Sequence, residues 1–410
     1  MADKSKPENK PENKRQNNGI NSDKIDLFDE DVAQCPFAAY AAVQQQGQVY
    51  REPRFGNFVL SHYADVLQLK DDSHYSALHG VDPAGRFPPN TYPDINRTDP
   101  PRHTRLKSFF YKSFSGPAIE KWRGDIEAIF HEHFDALTGT DFDIVEAVCY
   151  PVPAAVICKM LGFSDNRRSD FQRWSEALVE RLGTEISTAQ REALIEMARF
   201  IKRKAAEKKT TPGDDLMTDI VNAEVDGSRL SDEEIIANGV FFLAAGHETT
   251  ANFLSNFTHQ LALEPGLFDR LKADRSLISR AMDESLRLQS PVQNICRTVK
   301  KDMDLHGAPV GEGERVLFSL AAGNRDPSVF ENPEEFDLSR DNGHTHLAFG
   351  YGLHQCLGAR LARLEGEIFI NIMLDRYEKI TLSETPAGRP GNVMRGFKAL
   401  GISVTPALDN

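Results

Sequence analysis

The chain has 410 residues, of which 40% are hydrophobic and 27% charged, and its formal net charge is −13. This length suffices for one large domain or two ordinary ones. The negative charge argues against nucleic acid or an anionic membrane as a partner of the whole surface. No apolar run approaches the ~20 residues that span a bilayer.

The amino-terminal segment predicts a disordered polar tail over residues 1–25. It repeats KPEN and holds one isoleucine before Ile25, so it lacks the apolar surface needed to order itself. It also lacks the charged start and apolar stretch of a signal peptide. The five cysteines are scattered without a C-x-x-C pair, which is typical of a reducing compartment. We therefore expect a cytoplasmic protein that needs no membrane.

The segment after this tail begins with two strand-like runs, QVYREP and NFVLS. Residues 75–100 are rich in Pro, Gly and Asn and indicate a long loop, which in a compact domain is usually functional or disordered. From about residue 102 to 290 the pattern is mostly helical, with Pro and Gly breaks. No linker interrupts the chain after the tail, so residues 26–410 are expected to form one domain.

One helix of about 30 residues is predicted between Ser231 and Pro265. Ser231 followed by Glu234 forms a capping box, and the apolar run VFFLAAG indicates that the helix crosses the core. Its polar middle has two interpretations. In the first, this is an ordinary core helix whose polar groups are hydrogen-bonded by neighbouring elements. In the second, the helix presents one face to a ligand. By helical spacing that face holds Phe241, Ala244, Ala245, Glu248, Thr249 and Asn252, and small residues such as Gly246 would permit a close approach.

The last third of the chain predicts short strands and one more helix. DLHGAP, GERVLFSL and KALGISVTP are strand-like, and a helix runs to about residue 377. Helical patterns dominate and the strands are few. The predicted fold class is therefore mainly α with a minor β region.

Cys356 lies in a glycine-rich run, FGYGLHQCLG, directly before that helix. The glycines permit unusual backbone angles and the close approach of a flat ligand, and the helix start would place its positive end beside the sulfur. A lone thiolate without a second protein ligand suits a metal whose other positions are filled by a group such as a porphyrin. The alternative is a buried, inert cysteine.

Five motifs, taken together, resemble those of the cytochrome P-450 family, the haem-thiolate monooxygenases. Phe349-x-x-Gly352-x-x-x-Cys356-x-Gly358 is similar to the family's haem-binding signature. The other four are AGHETT (residues 245–250), DPPRHTRLK (99–107), CRTV (296–299), and ESLR (284–287) with FDLSR (336–340). Glu-x-x-Arg alone is weak, because such pairs occur on many exposed helices. The resemblance covers about residues 40–405 and implies a single domain of this type, with haem b between the long helix and the cysteine loop.

The resemblance implies roles for individual residues. Cys356 would bind the haem iron, and His103, Arg297 and His354 would hold the propionates. Lys107 stands where many relatives carry arginine, which retains the charge but loses the bidentate fork. The remaining residues expected at the cofactor are Ala245, Phe349 and Gly358. Glu284, Arg287 and Arg340 would form a structural ion network.

Glu248 and Thr249 are the expected catalytic pair. The resemblance implies that Thr249 hydrogen-bonds dioxygen or an ordered water and that Glu248 relays protons inward. The implied reaction inserts one oxygen atom of O₂ into a hydrophobic small molecule of terpenoid, aromatic or fatty type. The expected pocket residues are Phe87, Tyr92, Phe241, Ala244, Ala245, Val292, Ile295, Val393 and Met394.

A local cluster of cations is expected to receive a redox partner. By resemblance, a ferredoxin served by an NAD(P)H-dependent reductase would dock on the sulfur side of the haem of a monomeric enzyme. The expected docking residues are Arg102, Arg105, Lys107, Lys112, Arg360 and Arg363. The alternative is a solvated helix face. Two other functions remain open, namely a haem-based sensor and an enzyme that couples a carrier-bound substrate.

Overall fold

The computed structural model describes residues 24–80, 82–84, 93–163, 169–171, 173–174, 177, 187–389, 391 and 393–408. Helices account for most of the ordered structure, which confirms the expected fold class. The α-helices of four or more residues are Glu30–Gln34, Phe37–Gln46, Tyr63–Val66, Arg102–Phe110, Gly116–Glu120, Arg123–Asp135, Pro151–Met160, Thr188–Thr210, Leu216–Asn222, Asp232–Leu263, Leu267–Ala273, Ile278–Leu288, Leu320–Gly323 and Ala359–Arg376.

The strands are short and form four small sheets. They are β1 Tyr50–Arg51, β2 Phe58–Leu60, β3 Tyr75–Ser76, β4 Asp141–Asp143, β5 Asn294–Val299, β6 Met303–Leu305, β7 Ala308–Val310, β8 Arg315–Ser319, β9 Tyr377–Leu382, β10 Ala387–Arg389, β11 Gly396–Ala399 and β12 Gly401–Pro406. The largest sheet has the order β1-β2-β8-β5-β3, in which only β2 and β8 run parallel. The other sheets are β4-β12-β9, β6-β7 and β10-β11.

The helix Asp232–Leu263, which we call the central helix, crosses the main hydrophobic core as its apolar run predicts. It starts with the expected Ser231–Glu234 capping box and extends over 32 residues. Side chains from Phe242 to Leu261 are almost all buried, and the helix packs on the helices Pro151–Met160 and Thr188–Thr210. Because it contacts several other elements, the central helix positions the residues of the candidate site.

At Gly246 the close approach that a small residue permits is made by a neighbouring helix. A Cβ atom at Gly246 would lie 3.0 Å from the Ile157 side chain, and one at Gly239 would lie 2.7 Å from Ile201. Both glycines therefore let two neighbouring helices pack closely against the central helix. Their cost in helix propensity, about 1 kcal/mol each, is offset by helix–helix contact.

Ile25 and the residues directly after it pack against the folded part of the chain. Ile25 is buried, and both its backbone N–H and its C=O hydrogen-bond to the hydroxyl of Tyr50. Ile25, Leu27 and Phe28 join a small apolar cluster with the helix Phe37–Gln46. Ile25, which was expected to belong to the polar tail, therefore packs within the folded part of the chain. Residues 1–23 of the expected tail lie outside the described part of the chain.

Candidate functional site

Cys356 sits in a loop whose shape requires glycine. Gly352 has φ +81°, and a Cβ atom there would lie 2.6 Å from the Cα of Lys70, so no other residue fits without moving the backbone. Gly350 has φ +69°. The backbone N–H of Cys356 donates to the Phe349 carbonyl at 2.8 Å, which closes the loop just before the helix Ala359–Arg376, called here the cysteine helix.

The Cys356 thiol faces the amino-terminal end of the cysteine helix. Burial raises the pKa of the thiol, while the backbone N–H groups of Gly358 and Ala359 lower it by hydrogen bonding to the sulfur. The residue nevertheless retains accessible surface. A sulfur held by two backbone donors at a helix start is suited to bind a metal as a thiolate.

Four cationic or imidazole side chains converge beside this loop. The rings of His103 and His354 lie 4.0 Å apart, and Lys107 and Arg297 act on both rings electrostatically. Burial lowers the pKa of His103 to about 4 and, with Arg297 as the next cause, that of His354 to about 2. Burial also lowers the pKa of Arg297 to about 10.

This cluster fits an anionic group. Buried cations are costly unless they are paired, and Asp99 is the carboxylate that favours the charged forms of both His103 and Arg297. The buried Nδ1 atom of His103 has no hydrogen-bond partner among the described residues. Two carboxylates, such as the propionates of a porphyrin, would supply the missing acceptors and charge.

Lys107 also contacts the cysteine loop directly. Its Nζ donates to the backbone carbonyl of Leu353 at 2.7 Å. Lys107 therefore ties the helix Arg102–Phe110 to the cysteine loop three residues before Cys356. Phe349 also supports the loop from outside, because its ring packs between His346 and the guanidinium of Arg363, with centres 5.5 and 5.2 Å away.

The central helix presents a narrow stripe of partly exposed residues. Phe241, Ala245 and Thr249, spaced by four, are half-buried, whereas Ala244 and Glu248 beside them are buried. The Thr249 hydroxyl donates to the Ala245 carbonyl at 2.7 Å. A side-chain donor on that carbonyl competes with the helical hydrogen bond and often bends a helix. Because Ala244 and Glu248 are buried, the accessible face of the helix is narrower than helical spacing alone indicates.

Glu248 forms an ion pair that sequence reasoning missed. Its carboxylate accepts a hydrogen bond from the guanidinium of Arg389 at the end of β10, and the Glu248 side chain has no exposed surface. A buried carboxylate requires a partner, so the sequence did imply a cation near Glu248. The spacing of 141 residues gave no means of choosing Arg389.

The expected pocket residues that the structure describes come from three elements. Val292 forms an isolated antiparallel bridge with Met394, and the Gln293 N–H donates to the Val393 carbonyl at 2.8 Å. Val292, Ile295 and Met394 are half-buried, whereas Val393 and Ala244 are buried. Ile295 and Arg297 are two residues apart on β5, so their side chains lie on the same face of the strand. Phe87 and Tyr92 lie outside the described residues.

Glu284, Arg287 and Arg340 come together in a buried network. Arg287 donates to both carboxylate oxygens of Glu284 at 2.7 and 2.8 Å, and Arg340 Nε donates to Glu284 at 3.0 Å. Arg287 also donates to the carbonyls of Asn324, Pro333 and Glu335. The network therefore ties the helix Ile278–Leu288 to the segment that leads to the cysteine loop.

The expected docking cations divide into two groups. Arg102 and Arg105 share the single buried carboxylate of Glu234 at 3.0 Å, so the group keeps a net positive charge, and the two arginine side chains remain 43% and 35% exposed. Arg363 donates to Asp283. Lys112 and Arg360 are exposed.

Arg360 belongs to a cleft beside the cysteine helix. The cleft has a volume of about 450 Å³, and Arg123, Arg275, Arg360 and Arg363 line it together with Glu120 and Glu367. It lies between the cysteine helix and the helix Gly116–Glu120, since the guanidinium of Arg360 approaches Gly116 closely. Arg123 pairs with Glu120 and Glu367, Arg275 with Asp375, and Arg363 with Asp283. The exposed Arg360, four residues after Cys356, has no ion pair among the described residues.

Neither a membrane span nor a second metal site is found in the described part of the chain. Among those residues, no helix is long and apolar enough to cross a bilayer. No group of three or more His, Cys, Asp or Glu side chains there is arranged to hold a metal ion.

Comparison with known proteins identifies relatives along most of the chain. The family model described as Cytochrome P450 matches residues 54–397. Cytochrome P450 107B1 of Saccharopolyspora erythraea is 37% identical over 321 residues, which cover 77% of this chain and 78% of that protein. The Steroid C26-monooxygenase of Mycobacterium tuberculosis is 32% identical over 380 residues, covering 90% and 94% of the two chains.

A solved structure shows the same fold with a bound ligand. The crystal structure of CYP109E1 from Bacillus megaterium in complex with testosterone superposes with a TM-score of 0.81 and 32% sequence identity. The match covers 90% of this chain and 99% of that one. The family model spans the cysteine loop, the central helix and the Glu284 network alike.

Proposed function

This chain belongs to the cytochrome P450 family of haem-iron oxidoreductases, and we propose that it hydroxylates a hydrophobic small molecule with haem b as its cofactor. The observation that carries the proposal is the Cys356 thiol held by two backbone donors beside a buried cationic cluster. Bound haem supplies the chemistry of dioxygen reduction and oxygen insertion. The protein holds the cofactor and controls access and protons.

Different residues around the cysteine loop would bind different parts of the cofactor. Cys356 would supply the thiolate, and His103, Arg297 and His354 would donate hydrogen bonds to the propionates. Ala245, Phe349 and Gly358 would border the ring and the sulfur. Lys107 would act through the Leu353 carbonyl, so it supports the loop and is not required to contact a propionate.

Thr249 and Glu248 would control proton delivery. Thr249 is the polar member of the half-buried stripe, and its hydroxyl is positioned by the Ala245 carbonyl. A hydroxyl so placed can hold a water molecule on the ligand side of the helix. Glu248 is the adjacent acid, buried and ionically paired, and it would receive protons from solvent and pass them toward Thr249.

Thr249→Ala is expected to separate electron consumption from product formation. Without the hydroxyl, NAD(P)H is still consumed in a reconstituted system and peroxide rises. Product formation falls by about 100-fold, which is the lower end of the rate factor that a positioned acid–base group contributes. Product and peroxide per NAD(P)H are measured together. Thr249→Ser, which retains the hydroxyl, should preserve most of the coupling, and unchanged product yield in Thr249→Ala would contradict the role.

The substrate class is tested by absorption titration of the haem. A hydrophobic pocket is supported by the apolar residues Phe241, Val292, Ile295 and Met394. One relative is named a steroid monooxygenase, and one similar solved structure is a complex with testosterone. Terpenoid, aromatic, fatty and steroid compounds are screened for a shift of the Soret band. Saturable shifts with hydrophobic compounds support the proposal, whereas shifts only with polar compounds would refute the hydrophobic class.

The electron donor is proposed to be an acidic ferredoxin served by an NAD(P)H-dependent reductase. The support is the exposed Arg360 and the arginine-lined cleft on the cysteine helix. We further propose that the enzyme acts as a monomer in the cytoplasm. Sedimentation of the purified protein tests the monomeric state, and cell fractionation tests the cytoplasmic location.

Arg360→Glu is expected to slow ferredoxin-driven reduction of the haem by roughly tenfold at low salt, because steering by surface charge contributes at least that factor to association. The difference should shrink as ionic strength rises. Reduction by dithionite should stay normal, as should ferredoxin-driven reduction of Lys379→Glu, an equal charge reversal at an exposed site on β9. If reduction by ferredoxin and reduction by dithionite were slowed equally, the substitution would have damaged the haem site.

A further inference from the structure

Two short segments at residues 291–293 and 393–395, here called the pocket pair, lie side by side in an antiparallel arrangement. Val292 and Met394, both expected to line the pocket, form the bridge at its centre. Backbone hydrogen bonds of 2.8 Å flank the bridge, from the Gln293 N–H to the Val393 carbonyl and from the Arg395 N–H to the Pro291 carbonyl. Because the two segments are hydrogen-bonded in register, a contact that positions one of them also positions the other.

Asn256 ties both segments of the pocket pair to the central helix. Its side chain is buried, and its Nδ2 group donates to the Gln289 carbonyl at 3.1 Å and to the Arg395 carbonyl at 3.3 Å. Gln289 lies two residues before the first segment, and Arg395 ends the second. One buried amide therefore holds the backbone of both segments.

The side chain of Arg395 reinforces the same junction. Its Nε atom donates to the side-chain oxygen of Gln289 at 3.2 Å, and a second guanidinium nitrogen donates to the Gln34 carbonyl at 2.6 Å. The guanidinium also lies 4.9 Å from the centre of the Phe37 ring. Arg395 thus attaches the pocket pair to the amino-terminal helices, while Asn256 attaches it to the central helix.

Asn256 lies on the face of the central helix that carries the half-buried stripe. Thr249, Asn252 and Asn256 are spaced by three and four residues, so they share that face. Asn256 is about 10 Å beyond Thr249 along the helix axis. The β10-β11 hairpin packs on the same face, because a Cβ atom at Gly396 would overlap the Asn252 side chain. The pocket pair is therefore fixed at one end of the stripe that is expected to face the ligand.

We propose that Asn256 is a positioning residue that determines substrate specificity. By fixing the pocket pair relative to the half-buried stripe, it sets the width of the space between that stripe and the residues Val292 and Met394. Asn256 acts through the pocket pair, because its donor group is occupied by two backbone carbonyls. The inference rests on the proposed function, since it takes the ligand to bind between these elements. Asn256 then governs the binding of bulky ligands and not that of compact ones.

Two azoles that bind ferric haem through an imidazole nitrogen test this proposal without turnover. Imidazole itself is too small to require the pocket walls, whereas clotrimazole carries three further aromatic rings that must fit between them. Their dissociation constants are measured on the purified holoenzyme from the shift of the Soret band. In Asn256→Leu, which removes the amide at similar volume, clotrimazole should bind about tenfold more weakly, because ordering the loosened pocket pair costs binding free energy. The dissociation constant of imidazole should stay within about twofold of its original value.

Thr258→Val is the matched control. Thr258 is also buried on the central helix, but its hydroxyl donates to the Leu254 carbonyl at 2.8 Å and is hydrogen-bonded to Cys149. Two residues along a helix place it on nearly the opposite side from Asn256. Both azoles should therefore bind to Thr258→Val as they do to the unaltered protein. Asn256→Ser, which retains a donor on a smaller side chain, should weaken clotrimazole binding by less than Asn256→Leu, and it takes the place of that variant if Asn256→Leu fails to fold.

Unchanged clotrimazole binding in a folded Asn256 variant would overturn the proposal. Equal weakening of imidazole and clotrimazole would also overturn it, because the effect would then lie at the haem and not at the pocket pair. If neither azole shifted the Soret band of the unaltered protein, the proposed function itself would fail and the role of Asn256 with it. A loss confined to clotrimazole supports both.

Discussion

Replacing Cys356 with serine is expected to abolish the far-red-displaced Soret band of the reduced, carbon monoxide-bound protein, together with all oxygenase turnover. A serine hydroxyl is not deprotonated by two backbone donors at neutral pH, whereas a thiol is acidic enough to become the thiolate that binds the metal. The electron donation that favours cleavage of the O–O bond is therefore lost. The spectrum and product formation are measured on the same preparation.

The matched control for this change is Cys35→Ser, which alters an exposed cysteine far from the loop. Its spectrum and turnover should equal those of the unaltered protein. Cys356→His should yield a spectrum of histidine ligation, which would show that the loop still folds and accepts the cofactor. A displaced Soret band that survived in Cys356→Ser would refute the assignment of Cys356 as the ligand.

The parts of the site that were predictable lie on continuous sequence patterns. The central helix, its capping box and the loop around Cys356 each follow from residues close together in the chain, where periodicity and glycine placement carry the information. Gly352 is an example, because its positive φ and its contact with Lys70 both require the residue that the pattern contains.

The parts that were not predictable depend on side chains from distant segments. Glu248 needed a cation, but only the folded hairpin shows that Arg389 supplies it. Arg102 and Arg105 appeared to be free surface charges until the fold placed Glu234 between them. The packing partner of Gly246, Ile157, lies on another helix and was likewise not predictable. Helical spacing defines relative faces but not which neighbour each face meets.

Removing the Arg287 side chain is expected to have the largest effect on stability. Arg287 and Glu284 have side-chain exposures of 0% and 1%, so Arg287→Ala leaves a buried carboxylate with only Arg340 as its cation. Breaking a buried ion pair from one side costs about 3–5 kcal/mol. The lost hydrogen bonds to the carbonyls of Asn324, Pro333 and Glu335 add to that cost.

Denaturant unfolding, followed by circular dichroism, measures this effect directly. Arg280→Ala, on an exposed position of the same helix, is the control and should change the free energy of unfolding by less than about 0.5 kcal/mol. Because the network anchors the segment that leads into the cysteine loop, Arg287→Ala should also lose the thiolate spectrum at a lower denaturant concentration than the unaltered protein. Equal stability of the two variants would show that solvent or a rearranged neighbour compensates Glu284, and that the network does not hold the loop.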